Sequence, residues 1–346
     1  MSLRVGLVGA GGVGRKRALA VCQDERTDLC LVCDTIEDRA REIASEVDGQ
    51  AARTVVNWQT AVEATDVDVV IVSTTHDMLA PISAAALQAG KHVLCEKPLG
   101  RNATEAKQAT AAAAESGKVL HAGYNHRFHP AIRQLQEALA GGSLGEAMLI
   151  RGRYGHGGRP GYEQEWRADA SVSGGGELLD QGAHLIDLCL WLLGPVEQVN
   201  GRTQTAFWDM APVEDNVFAL LTTPTGTTAS LHVSWTQWKN LFSLEVFGRD
   251  GYAHVEGLGG SYGVPQLTLG HRADGGAPEE TRQRFEGEDL SWAAEWDAFV
   301  RAIDGEQTIA ADGLSGVRTL ECIDALYRSS AAAGAPESLP DSGNSL

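Results

Sequence analysis

The sequence predicts a two-domain α/β chain, in which a doubly wound parallel sheet is followed by an α+β domain built mainly from antiparallel strands. Residues 1–123 alternate short apolar strands with helical segments, a pattern typical of a parallel sheet covered by helices. From residue 124 the pattern changes to long alternating strands separated by turn signals, which is typical of antiparallel pairing. A chain of 346 residues is long enough for two such cores.

The composition restricts the possible functions. The formal net charge is −18, whereas nucleic-acid-binding proteins present a basic face, so we expect no nucleic-acid partner. No apolar run approaches the roughly 20 residues that cross a bilayer, and the N-terminus lacks the features of a signal peptide. We therefore expect a cytoplasmic protein without a membrane partner. Cys30 and Cys33 would face opposite sides of a predicted strand, so we expect no metal or redox site there.

The first strand, LRVGLV, runs into a glycine-rich turn and then a helix. Gly9, Gly11 and Gly14 give the spacing GxGxxG at this strand-to-helix transition. There the backbone and the helix N-terminus can hold a pyrophosphate group, so the pattern predicts a Rossmann-type dinucleotide-binding loop. Its cofactor contacts would also include Gly12 and Val13.

The second predicted strand ends in Asp34, twenty residues beyond Gly14. A carboxylate at this position accepts hydrogen bonds from ribose hydroxyls and repels a 2′-phosphate, so we expect NAD rather than NADP. Arg39 is a further candidate for a cofactor contact, and it would favour the 2′-phosphate of NADP. The alternative role of Asp34 is to cap the next helix, and the two roles of Asp34 are compatible. Ligands of such sheets bind beyond the carboxyl ends of the strands, which here carry Ser73, Thr74, Thr75, Glu96 and Lys97.

Four segments resemble a known family: GAGGVG, AGKHVLCEKPL, WRAD at residues 166–169, and SGGGELLDQGAHLIDL at residues 173–188. They are similar to the glucose–fructose oxidoreductase, inositol dehydrogenase and rhizopine-catabolism (Gfo/Idh/MocA) oxidoreductases, over nearly the whole chain. The resemblance implies a Rossmann domain joined to an α+β domain with a large open sheet. It also implies hydride transfer between NAD(P) and a hydroxyl carbon of a sugar, cyclitol or sugar derivative. One departure is His76 and Leu79, where many members read Asn-x-x-His.

The resemblance matches Lys97 to the family's active-site lysine, and Asp180 and His184 to its aspartate–histidine pair. Asp180, His184 and Asp187 fall on one stripe of an otherwise apolar predicted helix. We assign Lys97 as the proton acceptor, because burial and a cofactor cation disfavour its ammonium form. His184 would be a second acid–base group or relay, and Asp180 would accept a hydrogen bond from a substrate hydroxyl. Asp187 is predicted either to support the catalytic side chains without touching the substrate or to make a structural hydrogen bond. No metal ion is expected.

Residues 151–167, RGRYGHGGRPGYEQEWR, are rich in arginine within an acidic chain. Arginine binds carboxylates and phosphates at two points, so one hypothesis is a lid that selects a sugar acid, sugar phosphate or nucleotide sugar. The alternative is that Arg151 and Arg153 lie on a strand and pair with acidic neighbours. The candidate substrate contacts are Asn125, Arg127, Tyr154, His156 and Arg159. The resemblance also places Trp166 and Arg167 near the cofactor.

The second domain, expected over residues 124–335, would present an uncovered apolar sheet face that favours pairing with a second copy. We therefore expect a homodimer or homotetramer, with residues 336–346 as a loose polar tail. Two other functions stay open. One is an NAD-dependent glycoside hydrolase that oxidises its substrate transiently, and the other is a non-catalytic nicotinamide-binding sensor. The complete set of Lys97, Asp180 and His184 favours a dehydrogenase over the sensor.

Overall fold

The computed structural model describes residues 2–46 and 52–340, and the chain forms two compact units. The first unit comprises residues 1–125 with 290–320, and the second comprises 126–289 with 321–346. The sequence-based division differs, because it assigned 290–320 to the second domain. These residues belong to the first unit because Trp296 and Phe299, on the helix Ser291–Ile303, are buried in the hydrophobic core of its sheet.

The first unit contains a six-stranded parallel sheet of strand order β3-β2-β1-β4-β5-β6, which confirms the predicted doubly wound fold. Its strands are β1 (Leu3–Val8), β2 (Thr27–Cys33), β3 (Arg53–Val55), β4 (Val69–Val72), β5 (His92–Glu96) and β6 (Leu120–Gly123). The helices between them are α1 (Gly12–Cys22), α2 (Glu37–Glu46), α3 (Trp58–Glu63), α4 (His76–Gln88) and α5 (Ala103–Ser116). All four residues of β4 are buried, as expected for a central parallel strand covered on both faces.

The second unit contains a nine-stranded sheet of order β14-β13-β12-β11-β7-β10-β9-β8-β15, antiparallel except for the pair β7 and β10. Its strands are β7 (Ala147–Gly155), β8 (Gln198–Gln204), β9 (Asn216–Thr222), β10 (Thr228–Ser234), β11 (Leu241–Gly248), β12 (Gly251–Glu256), β13 (Gln266–His271), β14 (Glu279–Arg284) and β15 (Glu337–Ser338). The later helices of the chain are α6 (Pro130–Ala140), α7 (Ala170–Ser173), α8 (Ala183–Leu193), α9 (Ser291–Ile303) and α10 (Gly313–Ala331). The two predicted hairpins are confirmed as β9–β10 and β11–β12.

The two faces of the nine-stranded sheet differ in what lies against them. On one face, glycines give the helices room: Gly152 lies beside Leu185 of α8, and Gly201 lies beside Leu326 of α10. The other face, here called the open face, carries exposed or half-exposed side chains from adjacent strands. They include Leu149, Arg151, Arg153, Arg202, Phe218, Leu220, Ser230, His232, Glu245 and Phe247. An open cavity of about 810 Å³ lies over its centre.

The prediction of a loose tail over residues 336–346 is wrong for the first part of that segment. Glu337 and Ser338 pair antiparallel with β8, and the N–H of Leu339 donates to the Glu197 carbonyl at 2.8 Å. The physical reason is that the edge of β8 offers unpaired backbone groups, which a short terminal strand satisfies. The last six residues of the predicted tail, 341–346, lie outside the described residues.

Candidate active site

The glycine loop between β1 and α1 has the shape that a dinucleotide requires. Gly9 has a φ of +101°, and a β-carbon there would lie 2.3 Å from the Ser73 carbonyl oxygen. A β-carbon at Gly14 would lie 2.0 Å from the Gly9 oxygen, so both positions require glycine. At Gly11 and Gly12, a β-carbon would meet nothing within 4 Å. This open space at the start of α1 fits a pyrophosphate group held by helix N-terminal N–H groups.

Asp34 joins the glycine loop to the end of β2. Its Oδ2 accepts a hydrogen bond from the Ala10 N–H at 2.7 Å, and its Oδ1 accepts one from the Ile36 N–H at 2.8 Å. The carboxylate is therefore fixed beside the loop, at the position from which such residues reach the adenosine ribose. Arg39 is exposed on α2, and Val13 is exposed on the first turn of α1.

The end of β4 lies beside the same loop. The Ser73 hydroxyl donates to the Gly9 carbonyl at 2.7 Å, so the loop and this strand end are linked directly. Thr74 follows, and Thr75 precedes α4 and donates its hydroxyl to Asp77 at 2.6 Å. Each parallel strand of this sheet ends on the same side as β1. The structure therefore groups the predicted cofactor contacts of β1, β2 and β4 at one edge of the sheet.

Glu96 and Lys97 follow at the end of β5, where a buried charge network holds them. The amide N–H of Lys97 donates to Glu96 Oε2 at 3.2 Å, and Arg17 Nε donates to Glu96 Oε1 at 2.7 Å. Arg17 also forms an ion pair with Glu295 of α9. Glu96, predicted to contact the cofactor, is thus used to position the backbone of Lys97. Sequence reasoning missed Arg17, although its spacing from the buried Gly14 and Val21 places it on the inner face of α1.

In the second unit, Asp180 lies in a π-helical turn, Leu178–Gly182, directly before α8. The sequence predicted one continuous α-helix here, but π turns occur frequently at functional sites. Glu214 anchors the turn, because its carboxylate accepts the N–H groups of Gly176 and Leu178, both at 3.0 Å, and the Tyr327 hydroxyl at 2.9 Å. Burial raises the pKa of Glu214. No motif or periodicity in the sequence indicates this anchor.

A series of alternating charges leads to Asp180. Arg167 Nε donates to Asp180 Oδ2 at 3.3 Å, and the same guanidinium lies 3.6 Å from Glu165. Glu165 in turn pairs with Arg159 at 2.6 Å. The Arg167 guanidinium also lies 4.6 Å from the centre of the Trp166 ring. The structure therefore brings the predicted residues Trp166, Arg167 and Asp180 together within this unit.

His184 is buried on α8 and stacks on His126. Their ring centres are 3.8 Å apart with an interplanar angle of 24°. His126 Nε2 lies 3.3 Å from the Tyr154 hydroxyl, and burial raises the pKa of Tyr154. Tyr154, predicted to contact substrate, is therefore part of a buried aromatic cluster around His184. The sequence analysis did not select His126, which immediately precedes Arg127.

Two predicted substrate contacts, Arg127 and Asn125, make buried hydrogen bonds within the protein. Arg127 donates two hydrogen bonds to Asp187, from Nε at 2.9 Å and from Nη2 at 2.6 Å. Both side chains are buried, so this guanidinium is held against α8, and its predicted substrate contact stays a prediction. The structural role predicted for Asp187 agrees with this geometry. Asn125, in the first unit, is buried and donates its side-chain amide to Ser291 Oγ at 2.8 Å.

The arginine-rich segment, residues 151–167, consists of a strand followed by a loop, and each part bears on one of its two hypotheses. Arg151 lies on β7 and pairs with Glu245 at 3.1 Å, as the strand hypothesis predicted, and Arg153 is exposed on the same strand. The later part forms a loop in which His156 Nδ1 accepts the Gly158 N–H at 3.0 Å. Burial lowers the pKa of His156, so its imidazole is kept in the neutral form. Arg159 is exposed beside Tyr162.

The described residues contain neither a candidate metal centre nor a candidate membrane-spanning helix. In residues 2–46 and 52–340, no group of three or more His, Cys, Asp or Glu side chains is arranged to hold a metal ion. Over the same residues, no helix combines the length and the apolar character needed to cross a membrane.

Both halves of the chain match family models. Residues 3–124 match the oxidoreductase family with an NAD-binding Rossmann fold, and residues 132–254 match the GFO/IDH/MocA C-terminal domain. The predicted oxidoreductase class and the predicted cofactor, NAD, are thereby confirmed.

Individual proteins match over nearly the whole chain. Identity is 31% to the UDP-N-acetylglucosamine 3-dehydrogenase of Acidithiobacillus ferrooxidans, over 92% of this chain and 94% of that protein. Identity is 29% to the 1,5-anhydro-D-fructose reductase of Ensifer adhaerens, over 96% of this chain and 98% of that protein. The crystal structure of GenD2 from gentamicin A biosynthesis, in complex with NAD, superposes with a TM-score of 0.84 at 27% identity, over 98% of this chain and 97% of that one. The chain therefore belongs to the Gfo/Idh/MocA family of NAD-binding oxidoreductases.

Proposed function

We propose that the protein is an NAD-dependent dehydrogenase or reductase that acts on a hydroxyl-bearing carbon of a sugar, a cyclitol or a sugar derivative. The observation that carries this proposal is the pair Asp180 and His184, set one turn apart at the start of an otherwise apolar helix. A carboxylate and an imidazole so placed can bind neighbouring hydroxyl groups of one ring. The names of the relatives, a dehydrogenase and a reductase of sugar derivatives, support the same substrate class.

Each residue of the proposed catalytic set has one role. Bound NAD supplies the hydride acceptor for the carbon that is oxidised. The amine of Lys97, acting as the base, takes the proton from the hydroxyl oxygen as the carbonyl forms, so that two electrons and two hydrogens leave the alcohol. Asp180, oriented by Arg167, accepts a hydrogen bond from a substrate hydroxyl. His184 relays to solvent the one proton that Lys97 takes up, and its stacking on His126 fixes the plane of the ring.

The surroundings of this set determine what else the substrate meets. The buried cluster of His126, Tyr154 and His184 excludes water from the imidazole, which strengthens polar interactions made there. We propose that the remaining substrate contacts come from His156 and Arg159, on the loop that leads to Asp180. Trp166 and Arg167 are kept as proposed neighbours of the cofactor.

The first test replaces the lysine. We expect Lys97→Met to retain NAD binding, measured as a thermal shift, while turnover falls on the order of a thousandfold, since general acid–base catalysis contributes effects of that size. Lys118→Met, at a site outside the proposed set, is the control. Unchanged turnover in Lys97→Met would remove this amine from the mechanism.

The substrate is found by screening inositols, aldoses, glycosides, uronates and sugar phosphates for formation of NADH. Net NADH formation identifies the dehydrogenase. Release of an aglycone without net NADH would identify the hydrolase, and NAD binding without turnover of any substrate would favour the sensor.

We also propose that a second copy of the chain covers the open face. Phe218 and Leu220 are exposed there, and Phe218 stacks on His232 with ring centres 4.4 Å apart. Contiguous exposed apolar side chains on a broad sheet favour association with an identical surface.

A further inference from the structure

A pair of aromatic side chains lies exposed at the end of the second unit's sheet. Phe207 is 60% exposed and Trp238 is 67% exposed, although both are large and apolar. Their ring centres are 4.8 Å apart at an angle of 80°, so they form one continuous surface, here called the aromatic platform. Exposed aromatic pairs are uncommon on proteins unless they bind something.

The platform is built on a rigid support. The fully buried Asp215 accepts three consecutive backbone N–H groups, those of Ala206, Phe207 and Trp208, at 2.7, 2.8 and 2.9 Å. Trp208 packs against Phe207 with ring centres 5.1 Å apart, and its indole N–H donates to the Trp235 carbonyl at 3.1 Å. The exposed ring of Phe207 is therefore held in place before any ligand arrives, which lowers the entropic cost of binding.

The platform lies beside the loop that leads to Asp180. A β-carbon at Gly157 would lie 3.5 Å from Trp238 Cα, and one at Gly158 would lie 2.5 Å from the Trp208 ring. Tyr162 packs 5.8 Å from Trp208, and its pKa is raised by burial and then by the charge of Asp180. Two successive ring-to-ring contacts, Phe207 to Trp208 and Trp208 to Tyr162, thus lead from the platform towards Asp180.

The charges around the platform balance. Lys239, next to Trp238 in sequence, and Asp209, two residues after Phe207, are both exposed. Arg159 is neutralised by Glu165 at 2.6 Å. An anionic group such as a phosphate would therefore find no excess positive charge there. An uncharged ring that presents C–H groups would find two aromatic faces from which water can be displaced.

We propose that the aromatic platform binds a second, uncharged ring, a sugar or an aglycone, that is linked to the sugar ring oxidised beside Asp180. The preferred substrates are then glycosides rather than free monosaccharides. This inference rests on the proposed function, since it assigns the part of the substrate that does not react. Binding energy from such a remote ring raises kcat/KM by positioning the reacting ring.

The test compares substrates with one ring and with two. Methyl β-glucoside is the one-ring probe, and phenyl β-glucoside and cellobiose are the two-ring probes. We expect Trp238→Ala and Phe207→Ala each to lower kcat/KM for the two-ring probes roughly tenfold, since one aromatic contact contributes about that factor. The one-ring probe should be unaffected. Trp238→Phe, which keeps a ring, and Val264→Ala, which truncates another exposed apolar residue, are the controls.

Three results would overturn the proposal. The first is an equal loss of kcat/KM for one-ring and two-ring probes in the alanine variants, and the second is no loss of kcat/KM for either kind of probe. The third is a change in the molecular mass of Trp238→Ala by light scattering, which would make the platform a contact between protein chains. If the wild-type protein turns over none of the probes, the proposed function fails separately. Tryptophan fluorescence titration with phenyl β-glucoside then decides: binding by the wild type that is lost in Phe207→Ala supports the platform, and absence of binding overturns it.

Discussion

Arg127 and Asp187 form a buried ion pair. Their side chains are 7% and 1% exposed, and two parallel hydrogen bonds join them. A buried pair of this kind adds little to stability compared with an apolar pair, but its separation is costly because one charge stays buried without its partner. The pair connects the turn Asn125–Phe128 to α8, and so holds His126 next to His184.

We expect Arg127→Met to lower the free energy of unfolding by about 3–5 kcal/mol, because it leaves the Asp187 carboxylate buried without its partner. The double variant Arg127→Met/Asp187→Leu should recover most of this loss. Urea denaturation measures both. Arg249→Met, which breaks an ion pair on the surface with Glu146, should change stability little. A double variant no more stable than the single one would contradict this interpretation.

The spacing of Asp187 from His184 and Asp180 showed that the three share a helix face, because helical periodicity is local in sequence. The pairing of Arg127 with Asp187 was not predicted, because the two residues are 60 positions apart and pairing over that distance leaves no periodic signal. For the same reason the sequence located Lys97 but not the network of Arg17 and Glu295 behind it.

At the scale of elements, the π-helical turn Leu178–Gly182 depends on one buried carboxylate. Glu214 accepts hydrogen bonds from the segment that leads into this turn and from Tyr327. Gly176 must be glycine, because a β-carbon there would lie 1.9 Å from the Glu214 carbonyl oxygen. The glycines before the turn are therefore required for close packing as well as for flexibility.

We expect Glu214→Ala to lower the free energy of unfolding by at least about 2 kcal/mol, because several buried donors lose their acceptor. Turnover should fall too, because Asp180 lies on the released turn. Tyr327→Phe removes only one of these bonds and should cost about 1 kcal/mol. Thermal melting and turnover check both variants. An intact melting temperature in Glu214→Ala would show that the turn is held by other contacts.

Most elements were predictable from periodicity and turn signals, which are encoded over short stretches. The glycine loop, the alternating strands and helices of the first unit and the two hairpins are of this kind. Two features were not predictable in this way: the packing of α9 in the first unit and the pairing of β15 with β8. Both join residues that are remote in sequence. The π turn was missed because a single extra residue per turn does not alter the apolar pattern of α8.

At the scale of the whole molecule, charge is distributed unevenly. The chain carries a formal net charge of −18, yet the open face presents Arg151, Arg153 and Arg202. One cross-strand row reads Arg153, His232, Phe218 and Arg202, since each is the register partner of the next. Aromatic residues and arginines, which are neighbours in this row as Phe218 and Arg202, are enriched at protein interfaces. A two-fold contact would place this row against itself.

Phe218→Glu tests the proposed contact between two copies. Burying a carboxylate at position 218 on each side of a two-fold interface costs several kcal/mol of desolvation, of which the cross-strand neighbour Arg202 offsets only part. We therefore expect the wild type to have the mass of a dimer or tetramer by light scattering at micromolar concentration, and Phe218→Glu to be smaller. Val56→Glu, which places the same charge on an exposed apolar site of the first unit, should keep the wild-type mass. If the wild type has the mass of a monomer, or if Phe218→Glu assembles as the wild type does, the open face is not the contact. The exposed row would then have to serve another partner.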